Sequence, residues 1–327
     1  MKPVLPSAPD RPATTPAALL RARYPMPAPA ADAHDNAAPA DPKPAAAEVA
    51  LDPLEARILL CHVLGWPRTA LITRSDEALP DAQVQRFREL ARRRLAGEPI
   101  AQLVGAREFF GLSLTVTPDV LIPRPETELL VELALAACET LPRPCLLDLG
   151  TGSGAIAIAL AATRPDARVT ATDRSPAALA VARGNGARLL PANRAGGPID
   201  WREGDWFEAL KAHAPATGPK RFDVIVSNPP YIRRDDPHLR QGDLRFEPRA
   251  ALTDEADGLS ALRTLIAQAP AFLAPGGELW LEHGYDQSAD VAALLSARGF
   301  QAVRSVADLA GIARATGARF GDRAKDN

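Results

Sequence analysis

Hydrophobic positions along the chain fall into three regimes. Up to about residue 47 the chain is dominated by Ala and Pro, as in MPAPAADAHDNAAPADPKPAAA, with almost no large aliphatics. Such a segment cannot bury enough apolar surface to offset the entropy lost on ordering, so residues 1–47 are expected to be a disordered extension. Its one island is PAALLRARYP, where a short helix is expected over 16–24 with Leu19 and Leu20 as contacts. From Leu51 the spacing becomes helical. LDPLEARILLCHVLG places Leu54, Ile58, Cys61, His62 and Leu64 on one side, with Asp52-Pro53 as cap and first-turn proline. ALPDAQVQRFRELARRRLAGE predicts a second helix. Val84, Phe87, Leu90, Ala91 and Leu95 form its apolar face, Asp81 is its expected cap, and Gly97 with Pro99 stops it. These helices define a small helical domain over 48–98, expected to recognise a substrate. EFFGLSLTVTPDVLIPRP alternates through β-branched and apolar residues, which predicts a β-hairpin within a linker over 99–125.

The third regime covers 126–322. After a helix at 126–139 come short apolar runs, PCLLDLG, ARVTATD, IDWREGD, FDVIVSN and GELWLEHG, separated by helical patterns, with RSVADLAG and ARFG as weaker strand candidates. That rhythm predicts an α/β domain with a doubly wound, mostly parallel sheet.

Composition narrows the class. The 327 residues are 46% hydrophobic, enough for a sizeable core, and the net charge of -2 argues against a surface built throughout to neutralise phosphates. Cys61, Cys138 and Cys145 are odd in number and lack CxxC or zinc-ligand spacing, so neither a disulfide framework nor a metal site is expected. No apolar run reaches the roughly 18 to 20 residues of a membrane span, and no signal-peptide core is evident, so a cytoplasmic protein is expected.

Two places carry chemistry. DLGTGSGAIAIALA, from Asp148 to Ala161, is a strand leading through a glycine-rich turn into a helix; Gly150, Gly152 and Gly154 let the backbone approach a ligand. Gly150, Gly152 and Ala155 also satisfy a dinucleotide pattern, so a nicotinamide cofactor stays open at this point. Asp173 ends the next strand, where a carboxylate can accept from both hydroxyls of a ribose. Asp205 and Trp206 end the third, placed to meet an adenine amino group and a purine face.

The second place is Asn228-Pro229-Pro230-Tyr231, at the carboxyl end of a run apolar enough to be buried on both faces. Pro229 and Pro230 have no N–H, so this backbone offers carbonyl acceptors, and Asn228 adds a side-chain oxygen. The loop is a cradle for an NH2 group, and Tyr231 can close over a flat amide or base. An NH2 on an sp2 carbon is a poor nucleophile; holding both protons aims it, and placement alone can supply about 7–11 kcal/mol of the barrier. A hydride transfer has no use for such a cradle. The motif by itself fits glutamine or adenine equally.

With these motifs, and with RFEPRAAL, DGLSALR, LEHGYDQ and the linker ending IPRPETE, the chain from about 51 to 320 resembles the peptide chain release factor glutamine N5-methyltransferases, which are S-adenosylmethionine-dependent class I methyltransferases. The resemblance implies a Rossmann-like catalytic domain joined by a hairpin to a helical domain. It implies that Gly150, Thr151, Gly152, Ser153 and Gly154 wrap the methionine part of the cofactor, that Asp173 holds the ribose, and that Asp205 and Trp206 border the adenine. It also implies that Asn228, Pro229, Pro230 and Tyr231 hold the glutamine of the Gly-Gly-Gln motif of release factors, with Asn228, which also borders the cofactor, and the Pro229 carbonyl orienting the nucleophile. A sister family methylates a glutamine of a ribosomal protein; Arg124 to Glu128 favours the release-factor branch. Adenine N6 methylation of nucleic acid is the other alternative, disfavoured by the absence of a sizeable basic recognition segment.

Several residues invite other readings. Arg86, Arg88, Arg92, Arg93 and Arg94 crowd one helix, as a solvated face or as a release-factor contact. His283 is expected to be a packed histidine, not a base, and Glu126 and Glu128 favour a helix dipole. Glu255 stands where a glycine or small residue is expected.

Overall fold

The computed structural model describes residues 14–25, 48–211 and 221–321, so most of the expected 1–47 extension lies outside the described residues. The chain divides into two compact units, one through Val104 and one from Gly105. Among the described residues no helix is long and apolar enough to cross a membrane.

In the first unit, helix α1 (Pro16–Leu20) is capped by the Thr15 hydroxyl, and strand β1 (Arg23–Pro25) pairs antiparallel with β2 (Glu48–Ala50). The helix expected over 16–24 therefore stops at Leu20: Pro25 drives Tyr24 into extended backbone, and Tyr24 pairs with Val49. Helix α2 (Pro53–Leu64) starts at Asp52, whose Oδ1 accepts from the N–H groups of Leu54 at 2.8 Å and Glu55 at 3.1 Å. Its buried face is Ala56, Leu59, Leu60 and Leu64, so of the expected face only Leu64 is buried and Leu54 is 52% exposed. The run RILLCHVL is apolar on most sides, so a 3.6-residue spacing fits two faces, and packing chose the other.

After α3 (Ala70–Thr73), α4 (Asp81–Leu95) buries Val84, Phe87, Leu90 and Ala91 as expected. Its cap position is Pro80, with Asp81 already helical, a correction that moves the carboxylate into the first turn, where the dipole favours it. Three of the crowded arginines have partners within this unit: Arg86 with Glu89 at 2.8 Å, Arg93 with Glu98 at 2.5 Å and Arg94 with Glu55 at 2.8 Å. Helix α5 (Ile100–Val104) closes the unit inside the expected linker.

The second unit opens with the hairpin of β3 (Ala106–Phe109) and β4 (Leu112–Thr115), turned by Phe110 and Gly111 at φ 51° and 74°. Both positive values suit a two-residue hairpin loop. After a short 3-10 turn at Pro125–Thr127 come α6 (Glu128–Ala137), β5 (Cys145–Leu149), α7 (Ala155–Thr163), β6 (Arg168–Asp173), α8 (Pro176–Leu189), β7 (Asp200–Glu203), α9 (Glu208–Lys211) and β8 (Phe222–Ser227). Then follow α10 (Arg249–Leu252), α11 (Ser260–Gln268), β9 (Leu273–Glu282), α12 (Ser288–Ala297), β10 (Gln301–Ala307) and β11 (Ala313–Phe320).

Seven strands form one sheet in the order β10-β11-β9-β8-β5-β6-β7. The pairs from β9 to β7 are parallel, while β11 runs antiparallel to both β9 and β10. This is the expected doubly wound, mostly parallel sheet, with the two weak strand candidates forming its antiparallel edge. Successive residues of the central strands feed opposite cores: Leu146, Val224 and Val226 pack with α7, while Leu147, Leu149 and Ile225 pack with Phe207 and α11. The strand order reverses between β5 and β8, and there the glycine turn and the Asn-Pro-Pro-Tyr segment meet at the carboxyl edge.

Candidate active site

A cleft at this switch point is lined by Gly150 and Gly152 after β5, Asp173, Arg174 and Ser175 after β6, Gly204, Asp205 and Trp206 after β7, and Asn228 and Pro230 after β8. Asp119, Val120 and Leu121 from the linker, with Ala178, Pro248, Ala250 and Ala251, complete its wall.

The glycine turn is folded by its own backbone. The N–H groups of Gly150 and Thr151 both donate to the Thr172 carbonyl at 2.9 Å, and Gly150, Gly152 and Gly154 all have positive φ. Asp173 is held from both sides: Oδ2 accepts from Gly152 N at 2.9 Å and Oδ1 from Ser175 N at 2.9 Å. A carboxylate has about four lone-pair sites, so two remain for ligand hydroxyls. Trp206 has a φ of 45°, rare for a bulky residue, and its indole lies against Gly150. A β-carbon on Gly150 would sit 3.1 Å from the ring, so the absent side chain makes room there.

Of the residues expected at a cofactor, Gly150, Gly152, Asp173, Asp205, Trp206 and Asn228 come together in this cleft, whereas Thr151, Ser153 and Gly154 do not line it. The Thr151 hydroxyl donates to buried Asp148 at 2.6 Å, and the Ser153 carbonyl accepts from Asn185 Nδ2 at 3.0 Å. Gly154 caps α7, where a side chain would meet Ile158, Ala182 and Trp201. Its glycine serves helix-to-sheet packing.

Within the second motif, Asn228 and Pro230 line the cleft, while Pro229 and Tyr231 do not. Asn228 Nδ2 donates to Thr127 Oγ1 at 3.1 Å, so its amide carbonyl is the end left to accept. Tyr231 Oη donates to Glu282 Oε1 at 3.2 Å, and burial, reinforced by that carboxylate, raises the phenol's pKa. Burial also pushes Glu282 up to about 7. Gln287 Nε2 donates to the carbonyls of Tyr231 at 3.1 Å and Gly258 at 3.2 Å, fastening the segment from behind. DGLSALR and LEHGYDQ thus act as supports of the Asn-Pro-Pro-Tyr loop.

The linker and RFEPRAAL, which sequence reasoning could quote but not place, are joined by Glu247. Its buried carboxylate accepts from Ile122 N at 2.9 Å and pairs with Arg124. Asn185 ties the hairpin in, accepting from Thr115 N at 2.8 Å, and Glu128 accepts from Phe110 N at 2.8 Å while also sitting in the first turn of α6. Glu126 is exposed.

His283 is fully buried, bonded through Nδ1 to the Gly284 carbonyl and through Nε2 to Thr316 Oγ1, both at 2.8 Å, and burial lowers its pKa. It is a packed, neutral histidine. Glu255 has a φ of 56°, which explains the expectation of glycine; Arg249 grips its carboxylate at 2.6 Å. Among the described residues no group of three or more His, Cys, Asp or Glu could hold a metal ion.

Residues 45–105 match the PrmC N-terminal domain and residues 126–241 the methyltransferase small domain. The chain is 64% identical over 270 residues to a release factor glutamine methyltransferase of Burkholderia pseudomallei (strain K96243), covering 83% of this chain and 93% of that one. It is 54% identical over 271 residues to the release factor glutamine methyltransferase of Bordetella pertussis (strain Tohama I), covering 83% and 96%. Among solved structures the hMettl16 catalytic domain in complex with MAT2A 3'UTR hairpin 1 superposes with a TM-score of 0.52 at 17% identity, over 70% of this chain and 81% of that one. At that identity the likeness is one of fold alone.

Proposed function

The chain belongs to the release factor glutamine methyltransferase family, and from that premise we propose that it transfers a methyl group from S-adenosylmethionine to the side-chain amide nitrogen of the glutamine in the Gly-Gly-Gln motif of release factors. The observation that carries this reading is Asn228, on the wall of the same cleft as Asp173 and Gly152, with its NH2 engaged by Thr127 and its carbonyl left to accept.

The residues present fit an adenosine-bearing cofactor. Asp173, braced by two backbone N–H groups, has lone pairs for a ribose; Trp206 and Asp205 would border the adenine; Gly150 and Gly152 would let the backbone approach the methionine part. The group would supply an electrophilic methyl on a cationic sulfur and depart as a neutral thioether, while the glutamine nitrogen that gains the methyl would lose one N–H proton to solvent. Asn228 Oδ1 and the Pro229 carbonyl accept from the two N–H bonds of the glutamine amide, aiming its nitrogen. The prolines keep competing donors out of the cradle, and Tyr231 closes over the flat amide. Moving a methyl from a sulfonium needs no strong base before attack, so positioning and electrostatics do most of the catalysis. Within this reading the helical first unit recognises the release factor.

Incubation with labelled S-adenosylmethionine and, in parallel, release factors, their Gly-Gly-Ala variants, ribosomal proteins and DNA tests the proposal. Label is expected in the release factor alone and lost from the Gly-Gly-Ala variant. Equal labelling of that variant, or label in DNA or a ribosomal protein and not in release factor, would overturn it. Asn228→Ala is expected to lose turnover with far less loss of cofactor affinity.

A further inference from the structure

Two walls of the cleft come from segments far apart in the chain. One is the linker, through Asp119, Val120 and Leu121; the other is the RFEPRAAL segment, through Pro248, Ala250 and Ala251. The residues next to these walls are bonded to each other. Ile122 follows Leu121, Glu247 precedes Pro248, and Ile122 N donates to Glu247 Oε2 at 2.9 Å across 125 positions. Glu247 Oε1 accepts from Arg124 Nη2. The Glu247 side chain is wholly shielded from solvent, and Ile122 is buried. Towards its far end the RFEPRAAL segment is tied to the loop after Tyr231, where Ile232 N donates to the Leu252 carbonyl at 3.0 Å.

We propose that Glu247 is a positioning residue that latches these two walls over the S-adenosylmethionine site, and so sets cofactor affinity more than the methyl-transfer step. The inference rests on the reading of this cleft as the cofactor site.

Both partners of Glu247 have a direction fixed by their chemistry. A backbone N–H can only donate, and a guanidinium has no acceptor, so the carboxylate receives from each, one oxygen apiece. Parting the walls would strip a buried amide of its acceptor in a place shielded from water, which is costly enough to keep the latch closed. Walls already held in the empty protein lose little further freedom when a ligand arrives. With the latch broken they are closed only part of the time, and the apparent affinity falls by that fraction. Glu247 does not itself line the cleft, and the acceptors assigned to the glutamine amide, Asn228 and Pro229, lie on a different loop, after β8. Turnover at saturating cofactor should therefore be largely spared.

The test uses the full chain with Glu247→Met, close in volume but without either oxygen. Calorimetric titration with S-adenosylmethionine and with S-adenosylhomocysteine should show affinity weaker by about tenfold or more, the value for walls closed about a tenth of the time. With release factor, KM for S-adenosylmethionine should rise by the same factor while kcat at saturating cofactor stays within about threefold. Selective 15N-isoleucine labelling, with the Ile122 signal identified by its loss in Ile122→Val, reads the latch without any ligand: its amide should exchange slowly in wild type and faster in Glu247→Met. Glu247→Gln, which keeps a single acceptor and should lose affinity by about threefold, replaces the methionine variant if that one does not fold. A variant that melts lower but binds cofactor as wild type does shows a merely structural residue and overturns the proposal. A fall in kcat with cofactor affinity kept overturns it too, as does unchanged Ile122 exchange in Glu247→Met. Should wild type bind neither ligand, the cofactor reading falls, while the Ile122 exchange still decides whether Glu247 latches the walls.

Discussion

The indole of Trp206 lies so close over Gly150 that a β-carbon on the glycine would stand 3.1 Å from ring atom Cζ3 and 3.6 Å from Cη2. Gly150 also has a φ of 74°, a region where a side chain costs about 1–2 kcal/mol. Gly150→Ala is therefore expected to lower Tm by several degrees and, by displacing the indole, to weaken S-adenosylmethionine binding by about tenfold, equivalent to about 1.4 kcal/mol. Thermal unfolding and calorimetric titration check both. Unchanged cofactor affinity would show that Trp206 is not part of the binding wall.

Gly258 makes a second close approach, to the loop that presents the substrate cradle. A β-carbon there would lie 2.5 Å from the Tyr231 carbonyl oxygen and 2.9 Å from Gln287 Nε2, at a φ of 81°. The oxygen is backbone, so the strain cannot be relieved by a rotamer change. Gly258→Ala should destabilise the protein by about 2 kcal/mol or more and reduce turnover more than cofactor affinity, because the displaced element is the cradle and not the ribose site. Steady-state kinetics beside equilibrium cofactor binding decides it.

Asp148 gives the protein a specific pH dependence. It is buried beneath the glycine turn, and desolvation, only partly offset by donors from Thr151 and Ala157, pushes its pKa from 3.8 to about 7. Below the lower value both folded and unfolded states hold the proton, and the stability contribution is fully present. Between the two values the unfolded chain has ionised while the folded one has not, so stability falls as pH rises and the contribution is gone above the folded pKa. Asp148→Asn cannot ionise. Relative to wild type, this variant should therefore gain on the order of 4 kcal/mol between pH 4 and pH 8 in urea unfolding, a window set by the two values. A constant difference across that window would exclude a buried neutral carboxyl.

Glu255 is held in the left-handed region at φ 56° while its exposed carboxylate pairs with Arg249 at 2.6 Å. Replacement by glycine relieves the backbone but forfeits an exposed ion pair and frees the unfolded chain, three small effects of mixed sign. Glu255→Gly should leave Tm within about 2 °C of wild type, whereas Glu255→Val, which keeps the strain and loses the pair, should melt lower. Scanning calorimetry on the two variants separates them.

Much of the fold was legible because its signals are local. The Asp52-Pro53 start of α2, the apolar face of α4, and the alternation that builds the parallel sheet each depend on residues within a few positions of one another. Where local signals were degenerate the reading slipped: the buried side of α2 was misassigned because apolar residues surround that helix, and Pro25 ended the first helix sooner than its composition suggested. In the site, Gly150, Gly152, Asp173, Asp205, Trp206 and Asn228 line one cleft, whereas Gly154 was grouped with them although its missing side chain leaves room for Trp201.

The amino-acid order by itself determined that a glycine turn, an acid after the next strand and an Asn-Pro-Pro-Tyr segment would all end strands of one parallel sheet, because strand propensity and turn chemistry are written within each segment. Only the tertiary structure decided that the Asn228 amide donates to Thr127, that Tyr231 donates to Glu282, and that Glu247 joins the linker to the cleft wall through Ile122 N. Those contacts join segments 101, 51 and 125 residues apart. Their energies come from burial and from hydrogen-bond direction, which exist only once the segments are packed together.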